Sequence, residues 1–160
     1  MDEKLLQKTF SREILVRLFP PDKTDSFFDA LFGDSKEGAF DIGLNYSGCE
    51  GEELNFELLL KQRPGKCLAC HLTNGIPEVF LRHPIIDIQG LVRKIGELVG
   101  SPKQPEWKLG QTQQISQELH VVPLTVGLTT PAKLQRDIRQ SGSEQVEGQR
   151  NPALGGNIGP

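Results

Sequence analysis

The chain has no long apolar run and no basic stretch, and it is short of cysteine, tyrosine, tryptophan and methionine. Each shortage removes a class of explanation. A helix that crosses a bilayer needs about 20 consecutive apolar residues. No segment approaches that length, and the opening MDEKLLQKTF lacks the apolar stretch of a signal peptide. The expectation is a cytoplasmic protein with no membrane partner. Nucleic-acid binders draw much of their affinity from neutralised phosphates. With 18 Lys+Arg against 21 Asp+Glu, a net charge of −3 and no run dominated by Lys or Arg, nucleic acid is a minor reading. Three cysteines in a reducing compartment do not make a disulfide framework, which leaves buried apolar residues, metal ligands or a redox pair.

The apolar residues that are present lie mostly in the first hundred positions. Residues 1–100 hold 42 of the 58 AVILMFWYC residues, and all eight Phe precede position 81. Burial energy scales with apolar area removed from water, so this part can build a core and the remainder is poorly supplied for one. The expected organisation is a compact α+β domain over 10–100. A polar, partly disordered tail over 101–160 follows, with docking segments at 120–128 and 130–140.

Periodicity supplies the elements. Ser11 followed by Ile14, Leu15, Leu18 and Phe19 predicts a helix, ended by Pro20 and Pro21. A second helix starts near Asp22 or Thr24, carries Phe27, Phe28, Leu31 and Phe32 as core, and stops at Gly33. Phe40, Ile42, Leu44 and Tyr46 alternate with polar residues, as do Leu54, Phe56, Leu58 and Leu60. These two runs predict an antiparallel hairpin. After the turn Arg63-Pro64-Gly65-Lys66, a third strand is expected over 66–73, then a short extended edge piece over 77–83. A last helix is capped by Asp87 and carries Ile88, Leu91, Val92, Ile95, Leu98 and Val99 on one stripe. The fold class is α+β: an antiparallel β-meander of three to four strands with helices on one face, then a largely irregular C-terminal tail. Within 120–129, Pro123 argues against a central strand.

The string with most chemical content is Lys66-Cys67-Leu68-Ala69-Cys70-His71. Its C-x-x-C-H pattern matches c-type haem attachment, in which two thioethers hold the porphyrin and the His ligates iron. It also offers half of a zinc knuckle, with Cys67 and Cys70 as ligands and Cys49, His71 or His83 to complete the set. A thiol-redox pair is the third reading. Against all three stands a regular strand, which turns Leu68, Cys70 and Leu72 inward and puts Cys67 and Cys70 on opposite faces. Among lesser candidates, Arg82-His83 would present cations beside a sheet edge, and Glu50, Glu52, Glu53 and Glu57 would hold a hard cation. Each has a plainer reading as solvated loop.

At FFDALFGDSKEGAFDI and RPGKCLACHLTNGIPEVFLRHPII the chain resembles a small bacterial family whose members sometimes carry the label "pancreas/duodenum homeobox protein". The resemblance covers about residues 10–99 and includes the Cys67/Cys70 pair, while His71 departs from the family's pattern. It implies a domain boundary and carries no activity, so no functional residue transfers with it. A homeodomain would need a basic three-helix unit, which this chain lacks. The functional expectation is a binding or adaptor module acting through a protein partner. A zinc or thiol-redox protein built on Cys67, Cys70, Cys49 and His71 is the alternative, and haem and nucleic-acid readings come behind it.

Overall fold

The computed structural model describes residues 2–68 and 75–128. Its elements follow in chain order: α1 (Glu3–Thr9), α2 (Arg12–Leu18), α3 (Asp22–Phe32), a short 3-10 turn (Ser35–Glu37), β1 (Phe40–Glu50), β2 (Glu53–Gln62), α4 (Ile76–Arg82), α5 (Ile88–Leu98), β3 (Glu106–Leu109), β4 (Gln113–Gln114) and β5 (Leu119–Gly127). This is an α+β fold around one antiparallel sheet. The strand order is β1-β2-β5-β3, with β4 also pairing β5.

Local signals account for most of the helices. Ser11 precedes α2 and Gly33 ends α3 with φ +76, a conformation that costs glycine nothing. The Asp87 carboxylate accepts the Gly90 N–H at 3.0 Å and starts α5, which buries Ile88, Leu91, Val92 and Ile95. The hairpin is built as the alternation requires. Leu44 stands opposite Leu58 and Tyr46 opposite Phe56, and a bulge between Tyr46 and Gly48 precedes the tight turn at Gly51-Glu52. Leu54, Phe56, Leu58 and Leu60 turn inward and are fully covered, while Asn55, Glu57 and Lys61 share the other face.

Three segments differ from expectation. Residues 66–68 form no strand. The Lys66 N–H closes the Pro64-Gly65 turn on the Arg63 carbonyl at 3.1 Å, and Leu68 is buried while Cys67 is exposed. The rest of that expected strand lies outside the described residues. The expected edge piece over 77–83 is instead α4. Pro77 sits in its first turn, where no amide donor is needed, and Phe80, four residues after Ile76, enters the core. The strand beside β2 is β5, so the meander extends only through β1 and β2.

The compact unit accordingly runs Met1–Leu128 and does not end near residue 100. β5 lies in register with β2, Leu54 opposite Val126, Phe56 opposite Leu124 and Leu58 opposite Val122. Val122, Leu124 and Val126 continue the apolar face that the hairpin alone leaves open. Pro123 is tolerated inside this strand because of where its missing N–H points. The Pro123 carbonyl accepts from Gly110 N at 2.8 Å, so the backbone of residue 123 faces the break between β3 and β4 rather than β2. The expected docking segment 120–128 is therefore a sheet strand. The segment 130–140 and the tail's expected disorder lie outside the described residues.

One core joins these elements. Phe10 packs against Tyr46 and Phe56 with centroids 5.1 and 5.0 Å away, holding the α1–α2 corner on the inner face. Phe27 meets Phe28, Phe80 and the His83 ring at 5.1, 5.7 and 4.8 Å, gathering α3 and α4. α1 itself was not expected from sequence. Its signals are the Asp2 side chain accepting the Lys4 N–H, and Leu6 followed four residues later by Phe10.

Candidate protein-docking site

The cysteines are separated by the hairpin. Cys49 pairs opposite Leu54 at the turn end of β1. From Leu54 to Gln62 strand β2 climbs roughly 26 Å at about 3.3 Å per residue. Cys67 is held at the far end, because the Gln62 side-chain amide donates to the Lys66 carbonyl and Lys66 closes on Arg63. Cys49 and Cys67 thus do not belong to one metal site, in which both sulfurs would lie about 2.3 Å from the ion. Cys70 and His71 fall outside the described residues. Among the described residues no group of three or more His, Cys, Asp or Glu is placed to hold a metal.

Cys49 itself is half-buried, and its thiol contacts the Gly51 carbonyl at 3.6 Å. Burial first, and then the Glu3 carboxylate, push its pKa upward, the opposite of an activated thiol. The same two causes raise Tyr46, whose hydroxyl donates to the Glu3 carboxylate at 3.3 Å. The phenol therefore stays protonated and ties α1 to β1.

The remaining candidates resolve into packing. Arg82 faces Glu78 loosely at 3.9 Å, and His83 Nδ1 accepts the Ile85 N–H at 3.3 Å while its ring packs on Phe27. Glu57 accepts from the Asn45 side-chain amide at 3.1 Å along the strands, away from the turn that carries Glu50 and Glu52. Lys23 lies over the Phe19 ring at 5.1 Å and donates to the Ile86 carbonyl at 3.1 Å. Desolvation lowers its pKa, partly offset by Asp87.

One residue that sequence reasoning passed over is central. Arg63 contacts Asp41 at 2.9 Å and Asp25 at 3.0 Å, donates to the Ser35 carbonyl at 2.7 Å, and lies 5.4 Å from the Phe28 centroid. It thereby fixes the middle of α3 against the base of the hairpin.

Beside that anchor lies an apolar groove of about 680 Å³ between α3 and α4, lined by Phe28, Leu31, Phe32, Phe40, Ile76 and Val79 among others. Phe32 and Leu31, expected as core, are instead 59% and 44% exposed on its rim. The reason is helical phase. Phe27 and Phe28 occupy the inward side of α3, and Phe32, one turn on, stacks over Phe28 at its outer margin, 6.0 Å between centroids. Val79 adds a third exposed apolar side chain from α4.

The fold defines a mixed α+β domain with an apolar groove between α3 and α4, in which the lining Phe28 ring lies 5.4 Å from the Arg63 guanidinium. Compared with protein-family models, curated proteins and solved structures, the chain matches none.

Proposed function

We propose that this protein is a cytoplasmic binding or adaptor module whose partner is another protein. The observation that carries the reading is the apolar groove between α3 and α4, where Phe32, Leu31 and Val79 stay in water. Exposed aromatic and aliphatic side chains set together around a concavity are costly in water and suit the core of a protein interface. Arg63 and Glu37 beside the groove supply a polar margin for such an interface.

The test is site-specific photo-crosslinking in the cells that express the protein. A crosslinker replacing Phe32 should give a discrete adduct that the same crosslinker at Leu5, an exposed position on α1, does not give. Leu31→Glu in the Phe32-crosslinker protein should abolish the adduct. Identical adduct patterns at both positions, or an adduct unchanged by Leu31→Glu, would refute the reading.

A further inference from the structure

The charges at the margin of the α3–α4 groove define what enters it. Among its lining residues only Glu37 is charged. The turn that carries Glu37 is fixed from two sides. Arg63 donates to the Ser35 carbonyl at 2.7 Å, and Gly38 sits so close to the Phe28 ring that a Cβ there would strike it. Asp29 lies three residues before Phe32 on α3, so the two are neighbours on the helix surface and its carboxylate borders the same margin. Both carboxylates are exposed, and neither makes an ion pair among the described residues.

The nearby cations do not cancel them. No lysine or arginine is among the lining residues. Arg63, 5.4 Å from the Phe28 centroid, is shared between Asp25 and Asp41. Lys61, across from Asp41, stands on the other face of the sheet. Arg82 of α4 faces Glu78, and Lys23 turns to the Ile86 carbonyl and the Phe19 ring. Over 29–37 the single lysine, Lys36, stands against Asp29, Asp34 and Glu37. The Phe32 side of the groove is therefore acidic.

Two further features describe the occupant. Phe32 stacks on Phe28 with 8° between the rings and is 59% exposed, which leaves an open ring face for a cation. The groove also offers no run of open main chain to an extended segment. The Ala39 carbonyl is taken by the Arg63 N–H at 2.9 Å, and the edge of β1 beyond Phe40 is closed at Ile42 by the Thr24 hydroxyl. A segment that loses water there must bring its own backbone hydrogen bonds, which a helix does and an extended chain does not.

On the reading that the groove docks a protein, we infer that its occupant is one face of a cationic amphipathic helix. The apolar side chains of that helix enter between Phe28, Leu31, Ile76 and Val79. Its flanking lysines or arginines meet Glu37, Asp29 and the Phe32 ring.

The probe is a fluorescein-labelled, alanine-based peptide of about 18 residues, long enough to hold a helix, with leucines at helical spacing and lysines beside them. Its counterpart has glutamate for every lysine. With the full chain, anisotropy should show the lysine peptide binding roughly tenfold more tightly than the glutamate peptide, or better. Leu31→Glu adds negative charge yet should abolish binding, because the apolar contact is lost. Binding that survives it would be charge attraction outside the groove and would overturn the inference. Asp29→Lys with Glu37→Lys, both at exposed positions, should reverse the preference, and an unchanged preference would overturn the inference. So would equal affinity for the two peptides, or binding of neither. In those cases a Phe32 adduct in the crosslinking test still leaves the groove as a protein-docking site, with a partner of other chemistry. An adduct at twice the chain mass would make the occupant a second copy and overturn the inference too.

Discussion

Replacing Thr24 by valine isolates a side chain that satisfies the edge of β1 at Ile42. Thr24 is fully buried, and its hydroxyl both accepts the Ile42 N–H and donates to the Ile42 carbonyl. Valine keeps the shape and removes the hydroxyl, leaving a buried donor and acceptor without partners. An unsatisfied buried group costs about 1–3 kcal/mol. The 3.1 Å bond is the stronger of the two and the 3.4 Å bond is near the limit of the geometry, so the N–H dominates the loss. A methyl in place of the hydroxyl returns up to about 0.8 kcal/mol through apolar burial. The net expectation is a loss of about 2 kcal/mol. For a compact unit of this size that corresponds to a fall of roughly 6–10 °C in Tm. The assay is urea unfolding followed by circular dichroism, where the midpoint should fall at unchanged m value. Thr24→Ser is the internal control. It keeps the hydroxyl, loses one methyl, and should cost only about 1 kcal/mol. If valine proves as stable as threonine, or less damaging than serine, the hydroxyl is not what holds the edge.

Two further outcomes follow from the same geometry. Arg63→Lys should cost about 1–2 kcal/mol in urea unfolding, because a point ammonium cannot reach Asp41, Asp25 and the Ser35 carbonyl together; full stability in the lysine variant would show that the fork geometry is irrelevant. Cys49, its pKa raised by burial and then by Glu3, carries less thiolate at a given pH than an ordinary cysteine. Its iodoacetamide labelling at pH 8, followed by the mass of the proteolytic peptide that carries Cys49, should therefore lag that of free cysteine. Glu3→Gln, by removing the negative neighbour, should lower the pKa and speed labelling. Labelling at the free-cysteine rate would exclude the burial account.

The parts of the fold legible in the sequence are those set by short-range rules. The β1–β2 hairpin followed from strict alternation, since one face must be apolar over eight residues and the connection is too short for anything but antiparallel return. Helices α2, α3 and α5 followed from spaced apolar residues with Ser11, Gly33 and Asp87 at their ends. Helix α4 was misread because Pro77 and Pro84 suit an extended edge as well as they suit a bounded helix. Only the burial of Phe80 decides between the two. The α3–α4 groove was half legible: Phe27, Phe28, Leu31 and Phe32 stand out, but helical spacing alone does not say where the covered arc ends.

What the sequence by itself determined is local conformation: caps, turns, alternation and the supply of apolar area to a single core. What only the tertiary structure decided is partnership. Residues 119–127 carry an alternation compatible with any uncovered apolar edge, and Pro123 weighs against an inner strand until its missing amide is seen to face the gap between β3 and β4. Arg63 is one arginine in a turn until Asp25 and Phe28 of α3 and Asp41 of β1 converge on it. Short-range sterics and hydrogen bonding are written residue by residue, whereas contacts across the sheet depend on which complementary surfaces meet once the chain has closed.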